Sequence, residues 1–249
     1  MVTNKFSQLL ASILVNSIYA MINYPVVLIS TLLAPFSLFI VIVFVSHGEL
    51  LSVAVGGALI MTMISSGTSM QQDLSHLKND FKLQDMVISS PTSARIYLVG
   101  MALSEIVYYL PVILVLLILT ALYISTTALG YIEIFAVMAI MFIFSVSLGF
   151  VLSTFTSDVV QSWAFSGIVS TVLSALPPVY YPITYVPMPF QYLVYLSPAT
   201  YAAEIVQNIV NPGLVNFNGT TLAIDWFVIT AVAVAMTYIA VKKSKWRED

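Results

Sequence analysis

The sequence predicts an all-α integral membrane protein with six transmembrane helices and both termini in the cytoplasm. Composition is the first reason: 60 % of the residues are apolar and 8 % are charged, whereas soluble domains hold roughly 45–50 % apolar and about 25 % charged residues. A soluble fold could not hide so much apolar surface, and large exposed apolar patches drive association in water. Lipid is therefore the solvent that this composition fits.

Six apolar runs are the second reason, because each is close to the roughly 20 residues that a helix needs to cross about 30 Å of hydrocarbon. Pro35 and Pro111 interrupt the first and third runs, which membrane helices tolerate where neighbouring helices satisfy the freed backbone groups. We predict the spans at 25–45, 51–71, 96–123, 131–153, 159–176 and 222–241.

The basic residues give the orientation, because cytoplasmic loops carry an excess of Lys and Arg. With the N-terminus inside, all eight basic residues fall on the cytoplasmic side. The outer segments 46–50, 124–130 and 177–221 contain none. A miscount by one span would divide the basic residues between the two sides. We therefore expect a multi-pass protein of the plasma membrane.

Residues 1–23 predict an amphipathic helix in the membrane interface rather than a clean span. A polar row at four-residue spacing lies beside an apolar face. The alternative is a signal peptide, since Lys5 precedes an apolar stretch that ends near Ala20. Polar residues interrupt that stretch and favour the interfacial helix. The row consists of Asn4, Gln8, Ser12 and Asn16.

Segment 177–211 predicts broken helices that re-enter the outer leaflet. Six of the eleven prolines lie within 177–198, with tyrosines between them, and this density excludes one continuous helix. Irregular apolar backbone at a membrane must be buried in protein or lie in the headgroup zone. A short helix at 199–210 should follow and end at Asn211-Pro212-Gly213.

The residue types present disfavour enzymes and nucleic-acid binders. The chain contains no cysteine, which excludes a thiolate metal site and a cysteine nucleophile. His47 and His76 fall in separate predicted loops, so we expect no metal centre. No basic patch is large enough for nucleic acid. We expect no catalytic site, and a membrane-embedded enzyme is the least favoured class.

Two motifs together resemble the ABC-2 type permease family. The first, before the third span, has two acidic residues, an aliphatic pair and Ser-Pro in Asp80-Phe-Lys-Leu-Gln-Asp85-Met-Val-Ile-Ser-Ser90-Pro91. The second, between the fifth and sixth spans, comprises Pro178-Val-Tyr-Tyr-Pro182 and Leu196-Ser-Pro198-Ala-Thr-Tyr201. The chain looks most similar to the daunorubicin-resistance type, with Lys82 where the family usually has Gly and Asn79 where it often has Arg.

The resemblance implies one transmembrane domain over residues 1–249 that forms a homodimer and works with two copies of an ABC ATPase. It would export an amphiphilic or hydrophobic substrate: a drug, lipid, glycolipid or peptide. The sequence has no Gly-x-x-x-x-Gly-Lys-Ser/Thr phosphate loop, so ATP and Mg²⁺ are expected on a separate subunit and no cofactor on this chain. The alternative is an ATP-independent channel or carrier, which the absence of internal repeats disfavours.

The charged loop 73–95 is the candidate contact with the ATPase. Read as a helix, residues 80–88 put Leu83, Met86 and Val87 on one face, the pattern of a helix that docks in a partner's groove. The alternative is an ordinary solvated loop. With the resemblance, we predict that ATPase coupling involves Lys78, Asp80, Lys82, Leu83, Asp85, Met86 and Val87.

Serines recur every four residues along the fifth span, at Ser162, Ser166, Ser170 and Ser174. Small residues let helices pack closely, which is one explanation. The resemblance implies another, because the family's export path runs between the second and fifth spans of the two copies. Ser65 and Ser69 on the second span would face that path, which hydroxyls and methyls would line. An outer gate is expected at Tyr180, Tyr181 and Pro182.

Glu105 lies about 14 Å along the third span from Ile96, at 1.5 Å per residue. An acid at that depth is costly and faces a partner or water. We predict a structural, hydrogen-bonded role, because no other predicted span interior carries an acid for a proton relay. Glu133 and Asp225 lie near the outer interface, where we expect solvation.

Overall fold

The computed structural model describes residues 5–79, 94–156, 158–215 and 218–243. This part of the chain is helical without strands, as predicted, apart from connecting turns. The helices are α1 (Lys5–Asn23), α2 (Pro25–Val45), α3 (Leu51–Asn79), α4 (Ala94–Tyr123), α5 (Ala128–Ser153), α6 (Val159–Ala175), α7 (Gln191–Val194), α8 (Pro198–Val210) and α9 (Gly219–Lys243), with a 3₁₀ turn at Ile183–Tyr185 and a π turn within α1 at Leu14–Ile18.

Six helices are long and apolar enough to cross a membrane, as predicted, but they are not the same six. Five of them, α2, α3, α4, α5 and α9, coincide with predicted spans. The sixth is α1, for which the sequence predicts a position in the membrane interface. The predicted fifth span is α6, whose 17 residues extend about 26 Å at 1.5 Å per residue. Helix α6 is thus slightly shorter than the hydrocarbon core.

Helix α3 is the centre of the fold and packs against α2, α4, α5, α6 and α8. Of its apolar window 78 % is buried, against 22 % in α4, so the other helices surround it. Its closest neighbour is α5. A Cβ at Gly149 of α5 would overlap the carbonyl of Gly67 on α3, and a Cβ at Gly67 would overlap the carbonyl of Ser145. Ser145 Oγ donates to the carbonyl of Met63 at 2.5 Å. Backbone therefore touches backbone where α3 and α5 cross.

Helix α1 turns the described part of its polar row, Gln8, Ser12 and Asn16, toward the protein. Ser12 contacts Gly100 of α4, and Asn16 Nδ2 donates to the carbonyl of Ser12 at 3.0 Å. On the other face Phe6 and Leu10 are exposed. An apolar face turned to lipid suits a helix lying in the interface and a helix spanning the bilayer alike, so the interfacial position stays a prediction.

Cysteine reporters test the orientation, because the chain has no native cysteine. Cysteines at the exposed positions Lys5, Ser125, Thr154 and Asn218 should react with an impermeant maleimide in intact cells only at 125 and 218. All four should react after permeabilisation. Labelling of position 5 from outside would show that α1 spans the membrane, and labelling of position 154 would refute the orientation of α5 and α6.

Candidate functional site

A cavity of about 430 Å³ lies between α1, α2, α3, α4 and α6; we call it the polar cavity. Three of the serines predicted for the export path line it: Ser65 and Ser69 on α3 and Ser170 on α6. The rest of its polar lining consists of Asn16, Ser30, Thr31, Thr68, Gln72, Asp73, His76, Tyr108 and Tyr109. The structure thus brings the second and fifth predicted spans together around a space lined by hydroxyls.

We call the four serines that recur along α6 the serine stripe. Two of them, Ser162 and Ser166, connect α6 to α3 by hydrogen bonds. Ser162 is buried and accepts from Gln71 Nε2, at 3.0 Å to its carbonyl and 3.3 Å to its hydroxyl. Ser166 is buried as well and donates to the carbonyl of Thr68 at 3.0 Å. These are the contacts that the packing explanation expects. The side chain of Ser174 lies outside the described part, and the path role of the stripe stays a prediction.

An acid pair stands beside the polar cavity. Helix α3 continues to Asn79, so Asp73 lies on a helix rather than in the predicted loop. Its carboxyl is hydrogen-bonded to the carboxyl of Glu105 on α4, and Ser69 also bonds to Glu105. Because a carboxylate is only an acceptor, a bond between two carboxyls requires a proton on one of them. Glu105 is therefore hydrogen-bonded as predicted, and its structural role stays a prediction.

The prediction that Glu105 has no acidic companion was wrong. The predicted second span ends at residue 71, whereas the helix runs to Asn79, so Asp73 and His76 lie on α3 and not in a loop. A signal for the longer helix was available, because Asp73 continues the four-residue spacing of Ser65 and Ser69 on one helix face. An acidic side chain, Asp73, therefore borders the polar cavity in addition to hydroxyls.

The predicted coupling residues Asp80, Lys82, Leu83, Asp85, Met86 and Val87 lie outside the described residues, as does the side chain of Lys78. Their role stays a prediction from the sequence. The described helices approach this loop from both sides, since α3 ends at Asn79 and α4 begins at Ala94. The loop therefore joins the central helix to the helix that carries Glu105.

The proline- and tyrosine-rich segment is anchored in the protein by three helices. Tyr180 is buried and donates to the carbonyl of Pro35 on α2 at 2.9 Å. Gln207 Nε2 of α8 donates to the carbonyls of Pro178 and Tyr181, at 2.9 and 3.1 Å. Gly57 of α3 lies against the backbone at Val179. The two bonds from Gln207 satisfy carbonyls of the irregular backbone inside the protein. Pro182 is buried too; the gate role and the position in the leaflet stay predictions.

A second acidic cluster joins α8 to α9. Glu204 and Asp225 are both buried, and Tyr195 Oη donates to Glu204 Oε1 at 2.7 Å. Burial raises the pKa of Glu204 above its ordinary value, and the bond from Tyr195 opposes this shift. The expected solvation of Asp225 was wrong, because α8 packs on α9. Glu133 is half-buried.

Comparison with known protein families identifies the family of this chain. The profile of the ABC-2 type transporter family matches residues 6–211, from the start of α1 to the residue after α8. No curated protein gives a significant match to the chain. The family's membrane domain is the permease component of an ABC transporter and is not itself catalytic. With a match over most of its length, this chain belongs to the ABC-2 type transporter family.

Proposed function

We propose that the chain is the permease subunit of an ATP-driven exporter in the plasma membrane. Two copies would pair and work with two copies of a separate ATPase that binds ATP and Mg²⁺. The family match over residues 6–211 carries the proposal. These 249 residues contain no phosphate-binding loop, so ATP would be bound outside them. The cargo would be an amphiphilic or hydrophobic drug, lipid, glycolipid or peptide, as in the daunorubicin-resistance type.

The polar cavity supports a path beside α3 and α6. It is lined by Ser65, Ser69 and Ser170, and it is large enough for part of a drug-sized molecule, since ligand pockets commonly hold about 300–1,000 Å³. ATP-driven closure of the ATPase dimer would reach α3 and α4 through the loop between them. The outer segment at Tyr180, Tyr181 and Pro182 would then open.

Leucine substitutions at Ser170 and Ser166 distinguish the two explanations of the serine stripe, an export path and helix packing. We expect Ser170→Leu to lower export at least about tenfold while the protein accumulates normally, because the larger side chain fills the polar cavity. Ser166→Leu should instead lower accumulation, since overpacking a closed contact typically costs about 1–3 kcal/mol. Membrane levels by immunoblot and ATP-dependent uptake of fluorescent amphiphiles into inverted vesicles measure the two effects.

Thr171→Leu is the matched control for both variants. Thr171 is exposed on α6 and, among the described residues, donates within its own helix to the carbonyl of Gly167 at 2.8 Å. It should change neither export nor accumulation. Normal export by Ser170→Leu would remove this part of the polar cavity from the path.

The ATP-independent channel or carrier remains the second candidate, and the Asp73–Glu105 pair is the observation that favours it. Acids inside spans often mark proton pathways. Sealed vesicles holding the permease and its ATPase discriminate between the two. Transport that needs ATP and stops when the ATPase's phosphate-loop lysine is replaced supports the exporter. Transport driven by a pH gradient without ATP supports the carrier.

A further inference from the structure

The described wall of the polar cavity carries an acid but no lysine or arginine. Asp73 of α3 lines the cavity and is half-buried, so part of its side chain is open to the cavity. Among the described residues that line the cavity, none is Lys or Arg. The sequence itself has no lysine or arginine between Lys5 and Lys78 or between Arg95 and Lys242. The cavity therefore has an acidic wall without a basic one opposite.

The negative charge of the acid pair lies on Asp73. The hydrogen bond between Asp73 and Glu105 requires a proton on one of the two carboxyls. Glu105 is 3 % exposed and Asp73 is half-buried, and burial favours the uncharged form of a carboxyl. Glu105 therefore keeps the proton and donates the bond. A carboxylate has about four acceptor positions, so the bond from Glu105 leaves others on the side of Asp73 that lines the cavity.

Three further titratable side chains among the described residues line the polar cavity: His76, Tyr108 and Tyr109. Both tyrosines lie close enough to Asp73 to interact with it electrostatically, and aromatic rings attract cations. His76 attracts the Asp73 carboxylate, but it is exposed. An ion pair with an exposed side chain contributes little, so a cationic ligand can compete with His76 for Asp73.

We propose that the polar cavity binds amphiphiles that carry a net positive charge, with an ammonium group against Asp73. The proposal rests on the proposed function and names its substrate class. The ammonium N–H groups donate to Asp73 and to hydroxyls of the same cavity, such as Ser65 and Ser170. The apolar tail extends past Val15, which lines the cavity and is exposed on the surface of α1. A zwitterionic headgroup fits less well, because its phosphate lies near Asp73 and like charges repel.

Protection of a cysteine from alkylation tests the site, because the chain has no native cysteine. In the purified permease, the thiol of Ser170→Cys lies in the polar cavity and reacts with N-ethylmaleimide. Dodecylamine, protonated at neutral pH, should slow this reaction. Dodecanol should need an about tenfold higher concentration for the same effect, a difference of about 1.4 kcal/mol. Lysophosphatidylethanolamine, a zwitterion, should protect no better than dodecanol.

Exchanges within the acid pair identify the group that holds the ammonium. In the Ser170→Cys background, Asp73→Asn should raise the protecting concentration of dodecylamine about tenfold, to that of dodecanol. Glu105→Gln keeps an N–H donor for Asp73 and should leave the protection unchanged. His76→Gln should keep or strengthen it, because the competing cation is removed. The alkylation rate without ligand shows whether each variant keeps the cavity.

A cysteine outside the cavity controls for general effects of the amphiphiles. Ser125→Cys, at an exposed position between α4 and α5, should react at the same rate with and without each ligand. Equal protection of Ser170→Cys by dodecylamine and dodecanol overturns the proposal, and this comparison needs no change at Asp73. Equal losses in Glu105→Gln and Asp73→Asn, or strong protection by the zwitterion, overturn it as well. Protection needs no ATP, whereas the exporter assignment is tested by ATP dependence, so either can fail alone.

Discussion

Replacing Gly149 with leucine is expected to prevent the protein from accumulating in the membrane. Any Cβ at this position would overlap the carbonyl of Gly67, and backbone cannot move aside as the end of a flexible side chain can. Helix α5 would have to separate from α3, which would break the Ser145–Met63 bond and open the centre of the fold. Effects above about 4 kcal/mol are exceptional for single substitutions, and a forced backbone separation belongs in that class.

Membrane levels and the monodispersity of detergent extracts measure this loss. Gly167→Leu is the matched control, since a Cβ at that exposed position of α6 meets nothing within 4 Å. It should accumulate like wild type. Gly149→Ala should already reduce the level strongly, because the first carbon causes the overlap. Wild-type levels of Gly149→Leu would mean that α3 and α5 do not cross as closely as described.

Composition and the length of apolar runs predicted the number of candidate spans, because both follow directly from the thickness of the bilayer. They could not decide which helices span. Helices α1 and α6 have similar lengths, 19 and 17 residues, and both are close to the length that a span needs. Helices α2 and α4 continue through Pro35 and Pro111, as membrane helices allow.

Pairing between distant segments was beyond the sequence. Four-residue spacing placed Ser162 and Ser166 on one face, but nothing in it named Gln71 and Thr68 as their partners. The contact of Asp73 with Glu105 depends on where α3 ends, and boundaries are the least certain part of any such prediction. Gly149 gave no signal of its own, because a glycine in an apolar helix has the same appearance whether lipid or backbone lies beside it.

Leu83→Asp is expected to uncouple the permease from its ATPase. An ATPase would drive this chain through cytoplasmic contacts, and the sequence predicts charges and an apolar face for the segment between α3 and α4. A few desolvated side chains usually carry most of the affinity of an interface. The variant should insert and accumulate normally, while substrate-stimulated ATP hydrolysis and export both fall at least about tenfold, the effect of losing about 1.4 kcal/mol or more.

The control for this prediction is Lys78, a charge that the sequence places further from the apolar face. Lys78→Ala should have a weaker effect that depends on salt, because rim charges affect association rates and salt dependence more than affinity. Met86→Asp should behave like Leu83→Asp if both side chains belong to one docking face. The segment connects α3, which carries Asp73, to α4, which carries Glu105, so a motion taken up there would reach both acids through these helices. Wild-type hydrolysis and export in Leu83→Asp would show that the drive enters elsewhere, and would leave the loop as an ordinary solvated connection.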